Sequence, residues 1–168
     1  MRYNRCMQKQ DDAFMAMAIR EAIASKQQGD VPFAAVIVQN SKVITAVANS
    51  EHLEHDVTKH AELKAISDAS YILGRRDLSD CTIYSTVEPC PMCATAIFYA
   101  CLRRVVFGMS RDDLPHLFRT RNIRFQQLAN DCHNKPEVVS GVLKDKAIQA
   151  FLEYKQPFRV TPELLGAG

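Results

Sequence analysis

The stretch TIYSTVEPCPMCATAIFYACLRRVVF, Thr82–Phe107, decides the fold. Thr82 to Val87 is strand-like, rich in β-branched and aromatic residues. Pro91 suits the first turn of a helix, because proline lacks only an amide hydrogen that would be unpaired there. That helix is expected to reach about Cys101, and Arg104 to Phe107 returns to strand composition. Upstream, Phe33 to Val38 is a nearly continuous apolar run, as in a strand buried on both faces. Asn40-Ser41 marks a tight turn, and Val43 to Val47 returns as the antiparallel neighbour.

Helices fill the intervals. Asp11-Asp12 can cap one running to about Ser25, with Phe14, Ala18, Ala22 and Met15, Ile19, Ile23 at helical spacing before Gly29-Asp30 ends it. A polar loop, Asn49 to Lys59, leads into a second helix from His60 to about Ile72. Downstream, Asn122 to His133 has helical periodicity, Val138 to Leu143 reads as a fifth strand, and Asp145 to Tyr154 as a closing helix. One hairpin followed by strand–helix alternation predicts an α/β fold: a three-layer α/β/α domain with a mixed five-stranded sheet. A helix between the last two strands makes them parallel. The expected organisation is a loose segment over 1–10, one domain over 11–155, and a weakly ordered tail over 156–168.

Composition narrows the class. At 168 residues, with 47% hydrophobic and 24% charged residues, the chain can bury a core without staples. A net charge of +2 does not demand an anionic partner. The six cysteines are scattered rather than arranged as a small disulfide scaffold. The sequence has no secretory apolar region after Met1 and no long apolar span, so a cytoplasmic protein with no membrane partner is expected.

The chemistry concentrates in His60-Ala61-Glu62 and Glu88-Pro89-Cys90-Pro91-Met92-Cys93. His60, Cys90 and Cys93 form a mixed nitrogen and sulfur set suited to zinc, and three protein ligands leave a fourth tetrahedral position for water. Both motifs fall at expected helix N-termini, where the dipole and free amides favour thiolates. Glu62 is not needed as a ligand and is placed to carry protons. A closed structural site would need a fourth ligand. Cys81, Cys101, Cys132, His52, His55, His116 and His133 exist, but none stands at motif spacing from the three. Isolated cysteines elsewhere are read as small buried hydrophobes and Glu88 as a helix-start charge.

The order H-x-E…P-C-x-x-C is that of zinc nucleobase deaminases. From about Ala13 to Tyr154 the sequence resembles the cytidine deaminase-like superfamily, on the branch of bacterial guanine deaminases and tRNA adenosine deaminases. Further matches are Val31-Pro32-Phe33-Ala34-Ala35-Val36, Asn49 eleven residues before His60, and Arg104-Val105-Val106-Phe107-Gly108. The resemblance implies zinc on His60, Cys90 and Cys93, Glu62 as proton shuttle, and Asn49 as a hydrogen-bonding partner of the base. It also places the backbone amides of Ala61 and Cys90 at the base and the zinc water, and implies a homodimer.

On substrate, Pro32-Phe33, Pro-Cys-Pro-Met-Cys and the aromatics Phe98 and Tyr99 resemble guanine deaminases, with Tyr99 expected to stack on a purine. Asp112 or Asp113 is a candidate acceptor for a purine amine. The tRNA enzymes more often carry a small aliphatic residue at Phe33, a polar one at Tyr99 and a strongly basic C-terminal helix. The basic run Arg119, Arg121, Arg124 is a candidate phosphate contact, with a solvated helix start as its default. Three expectations follow: a free purine deaminase converting guanine to xanthine; a tRNA adenosine deaminase forming inosine; or a non-catalytic, zinc-stabilised partner subunit. The first is favoured, with a small-molecule nucleobase rather than nucleic acid as partner.

Overall fold

The computed structural model describes residues 5–115, 122–132 and 135–152. In chain order these form α1 (Arg5–Gln27), β1 (Ala34–Gln39), β2 (Lys42–Ala48), α2 (Ala61–Leu73), β3 (Cys81–Val87), α3 (Pro91–Tyr99) and β4 (Arg104–Met109). A short 3-10 turn (Arg111–Asp113), α4 (Phe125–Asp131), β5 (Glu137–Ser140) and α5 (Lys144–Leu152) complete them. The five strands make one sheet in the order β2-β1-β3-β4-β5. β1 is antiparallel to both neighbours, whereas β3, β4 and β5 are mutually parallel, as expected for the last two.

Period-two alternation sends each strand's side chains into two cores. Val36, Val38, Tyr84 and Val106 meet Met15, Ala18 and Ile19 of α1 and Ala147, Ala150 and Phe151 of α5. Ala35, Ile37, Ile83, Val105 and Phe107 meet Ala65 and Ala69 of α2, Ile97 of α3, and Phe125 and Ala129 of α4. The result is the expected three layers. The β1–β2 turn is tight because Asn40 and Ser41 both take left-handed backbone, φ 48° and 62°. No helix among the described residues is long and apolar enough to cross a membrane.

Sheet direction places the site. β2 and β3 are both antiparallel to β1, so they point the same way and end on one edge. α2 follows β2 and α3 follows β3, so both helices begin beyond strand C-termini on that edge, where ligands of open α/β sheets gather.

Several boundaries differ from expectation. α1 starts at Arg5, so residues 5–10 are helical rather than loose. Asp11 is not a cap: it is buried inside the helix, where its carboxylate accepts from Tyr84 Oη at 2.8 Å and from both terminal nitrogens of Arg104 at 2.9 and 2.8 Å. A carboxylate with these partners is stabilised across the sheet, and extending a nucleated helix by a turn and a half of Arg, Met, Gln and Lys is cheap. α4 is shorter than expected and β5 begins one residue earlier. Residues 153–168 lie outside the described residues, as do Arg119, Arg121, His116 and His133.

Gly108 sits where β4 passes under α5. A Cβ there would lie 2.8 Å from the Thr86 carbonyl oxygen and 2.9 Å from the Ala147 Cβ. Neither atom can move without shifting backbone, so Gly108→Ala should cost about 1–3 kcal/mol of stability. Urea unfolding reads this directly; an unchanged midpoint would show that strand and helix separate at no cost.

Candidate metal and catalytic site

The N-cap of α2 is His60 and the N-cap of α3 is Cys90, and neither side chain caps its helix. A Ser or Asp there would stabilise the helix by about 1 kcal/mol. Both positions instead carry side chains free to turn to a common point. Cys93, in the first turn of α3, joins them. The two sulfurs are 3.5 Å apart, and His60 Nδ1 lies 3.7 Å from Cys90 Sγ and 3.4 Å from Cys93 Sγ. Tetrahedral zinc with ordinary bond lengths sets sulfur–sulfur edges of about 3.8 Å and sulfur–nitrogen edges of about 3.6 Å. The cluster therefore has the donors and the dimensions zinc requires, and His60, Cys90 and Cys93 are the described group that could hold a metal.

The electrostatics of these side chains follow from their crowding. The hydrogen bond from Cys93, with help from His60, holds the Cys90 thiol down to about 3. The same contact, with burial and the Glu62 carboxylate, pushes Cys93 far up, so the pair shares one proton. Burial works against a charge on His60, but the Cys90 thiolate and nearby carboxylates outweigh it and raise its pKa. Glu62, on the first turn of α2, is 4% exposed, and burial first, then the Cys90 thiolate, raises its pKa. A buried carboxylate beside the ligand cluster is placed to act as a proton shuttle. Ser85 Oγ stands 3.4 Å from Glu62 Oε1 while its shorter contact, 2.8 Å, is to the Val87 carbonyl.

The base-binding candidates separate. Asn49 is buried at the head of the loop that ends in His60, and Ser50 N donates to Lys59 O at 3.1 Å, closing that loop. Asn49 Nδ2 donates to Asp30 Oδ1 at 2.7 Å, and Oδ1 of Asn49 is buried without a partner. Ala61 is the buried first residue of α2. Phe33 is half-buried, stacked 5.1 Å from Phe151 between the two cores, and its carbonyl accepts from Asn49 N. Tyr99, expected to stack on a purine, stands 85% exposed at the last position of α3, on the helix face opposite Ile97 and Cys93. Phe98 packs on Phe125 in the core. A helix turns each residue about 100° from its neighbour, and the buried stripe of α3 is Cys93, Ala94 and Ile97. Asp112 and Asp113 are committed elsewhere: Asp112 pairs with Arg124, and Asp113 accepts from Ser110 N and pairs with Lys144.

The contacts of three carboxylates escaped the sequence reading. Glu88, buried beside Pro89-Cys90, accepts from Ser110 Oγ at 2.9 Å, Arg111 N at 3.3 Å and Phe125 N at 3.0 Å, and so ties the chain after β4 to the metal loop. Glu51 stands 3.3 Å from His60 Nε2. Asp30, fully buried, accepts from Val31 N, His52 N, Leu53 N and Asn49 Nδ2. Burial alone would raise the Asp30 pKa; the bonds from Leu53, Asn49 and Val31 outweigh it and hold the group below 3.8. A depressed folded-state pKa stabilises above the unfolded value, and that contribution disappears as pH falls through the folded one. Asp30→Ala should therefore cost at least about 2 kcal/mol near neutrality, with buried donors left unpaired. The deficit should shrink below about pH 4. Urea unfolding of both proteins across this range checks it; a pH-independent difference would remove the charge from the explanation.

Comparison with known proteins gives the frame. The chain matches the family profile of the cytidine and deoxycytidylate deaminase zinc-binding region over residues 8–109. It is 36% identical over 137 residues to a tRNA-specific adenosine deaminase of Bacillus subtilis, covering 82% of this chain and 83% of that protein. A structure from a study of A-to-I editing by tRNA deaminases at the wobble position superposes with TM-score 0.71 at 30% identity, covering 82% and 98%. The structure of guanine deaminase from Nitrosomonas europaea superposes with TM-score 0.76 at 25% identity, covering 85% and 83%. With two thiols, an imidazole and a buried carboxylate set where this family binds zinc, the chain belongs to the cytidine and deoxycytidylate deaminase family and is a zinc-dependent nucleobase or nucleoside deaminase.

Proposed function

We propose that the protein hydrolyses the exocyclic amine of a free purine, guanine to xanthine with release of ammonia. The supporting observation is charge around the site. Among the described residues, Lys59 and Lys64 are paired with Glu54, and Arg124 with Asp112. Cations already committed to carboxylates make a poor track for a phosphate backbone, whose binding needs basic groups to displace counterions. Pro32-Phe33 and Pro-Cys-Pro-Met-Cys add the sequence resemblance to guanine deaminases. The aromatic pair gives no further support, since Tyr99 is exposed and Phe98 packs on Phe125.

Bound zinc supplies Lewis acidity that lets water act as a nucleophile near neutral pH. Glu62 takes the proton that water gives up as its oxygen bonds to the amidine-like ring carbon. It delivers that proton to the ring nitrogen, then takes the second proton from the new hydroxyl and passes it to the amine, so the carbonyl forms, the carbon–nitrogen bond breaks and ammonia leaves. Asn49, its amide turned by Asp30, offers an oxygen acceptor to a ring N–H.

The second reading, an adenosine in tRNA, is favoured by the named relatives: the Bacillus subtilis protein and the wobble-position structure both act on tRNA. A tRNA base would have to leave its stack to reach the site. A non-catalytic role leaves the buried Glu62 without a purpose. A homodimer belongs to the proposal: Tyr71 and Ile72 of α2 and Tyr99 of α3 are 89%, 58% and 85% exposed, apolar surface suited to a second copy.

Cys90→Ala should lose most bound zinc, whereas Glu62→Gln should keep it and lose turnover by at least about a hundred-fold. Metal analysis beside ammonia release separates the two; zinc loss on Glu62→Gln would make Glu62 a ligand. For substrate, ammonia release should be highest with guanine across bases, nucleosides and nucleotides, and tRNA should not compete. Faster conversion of a tRNA adenosine than of every free base would decide for the RNA reading.

A further inference from the structure

His60 uses one ring nitrogen for the metal cluster, and the other faces a carboxylate. Nδ1 points at the two sulfurs, 3.4 and 3.7 Å away, while Nε2 stands 3.3 Å from Glu51 Oε2. A neutral imidazole that ligates through Nδ1 must carry its proton on Nε2, and that N–H needs an acceptor. Glu51 is the acceptor within reach. Its position is built rather than incidental. Asp56 N donates to the Glu51 carbonyl at 3.1 Å, Ser50 N to Lys59 O at 3.1 Å, and His52 N and Leu53 N both to the buried Asp30. The residues on either side of Glu51 are thus anchored, and the loop that delivers His60 also delivers its partner.

We infer that Glu51 is a positioning residue of the metal centre: its carboxylate holds the His60 ring so that Nδ1, as a lone pair, faces the zinc. Such a carboxylate fixes tautomer and ring orientation and makes the imidazole a better donor, and loss of one typically lowers metal affinity about 10–100-fold. The inference rests on zinc being held by His60, Cys90 and Cys93. It also gives Asp30 a second role, because the same buried carboxylate that orients Asn49 fixes the backbone beside Glu51.

The test is the zinc dissociation constant of the purified full chain, measured by competition with a chromophoric chelator, for wild type, Glu51→Ala, Glu51→Gln and His60→Ala. Glu51→Ala should bind zinc roughly 10–100-fold more weakly. The Gln variant, whose amide oxygen still accepts from Nε2–H, should fall between it and wild type. Glu51 is partly exposed, so the metal-free variants should melt with the wild type. Wild-type affinity in Glu51→Ala would overturn the inference while leaving the ligand assignment intact. A defect in KM with unchanged zinc affinity would also overturn it, by making Glu51 a substrate contact. Unaltered binding in His60→Ala would instead overturn the ligand assignment and this inference with it.

Discussion

An imidazole and two sulfurs can share one ion only if chain positions thirty residues apart arrive at the same point, and the direction of β1 brings this about. Because β1 runs against both β2 and β3, those strands end together, and the helices that follow them start side by side. The N-cap positions of α2 and α3 then face one another, and each carries a ligand in place of a capping residue. Helix stability given up at the caps is recovered when the site is filled, since site binding energy is also folding energy.

The site does not end at its ligands. Three buried or half-buried carboxylates surround it, and each joins a different piece of chain. Asp30 gathers the loop before α2, Glu51 reaches the ligand ring, and Glu88 holds the segment after β4 and the start of α4. These contacts fix the walls without touching the reacting atoms. Asp112 and Asp113, in the 3-10 turn, pair with Arg124 and Lys144.

What the sequence made legible was local. The Asn40-Ser41 turn, the apolar β1 run, Pro91 at a helix start and the Cys-x-x-Cys pair each act over a few residues, and each appears where its chemistry puts it. What stayed hidden was long-range. Asp11 looks like a cap until Arg104, 93 residues away, reaches it. Glu88 looks like a helix-start charge until Phe125 N finds it from 37 residues on. Tyr99 is close to the ligands in sequence, yet helical rotation leaves it 85% exposed.

The sheet order β2-β1-β3-β4-β5 divides the molecule into a hairpin wing, carrying α2, and a parallel wing, carrying α3. Their seam is the β1–β3 pairing, which joins residues more than forty apart, so its loop must close before any contact rewards it. His60 belongs to one wing and the two cysteines to the other. A bound ion therefore bridges the strand pairing with the longest loop in the sheet and acts as a rivet through it. Chelation should loosen the protein along this line first, with amides flanking the seam gaining hydrogen exchange before those of either wing's own core.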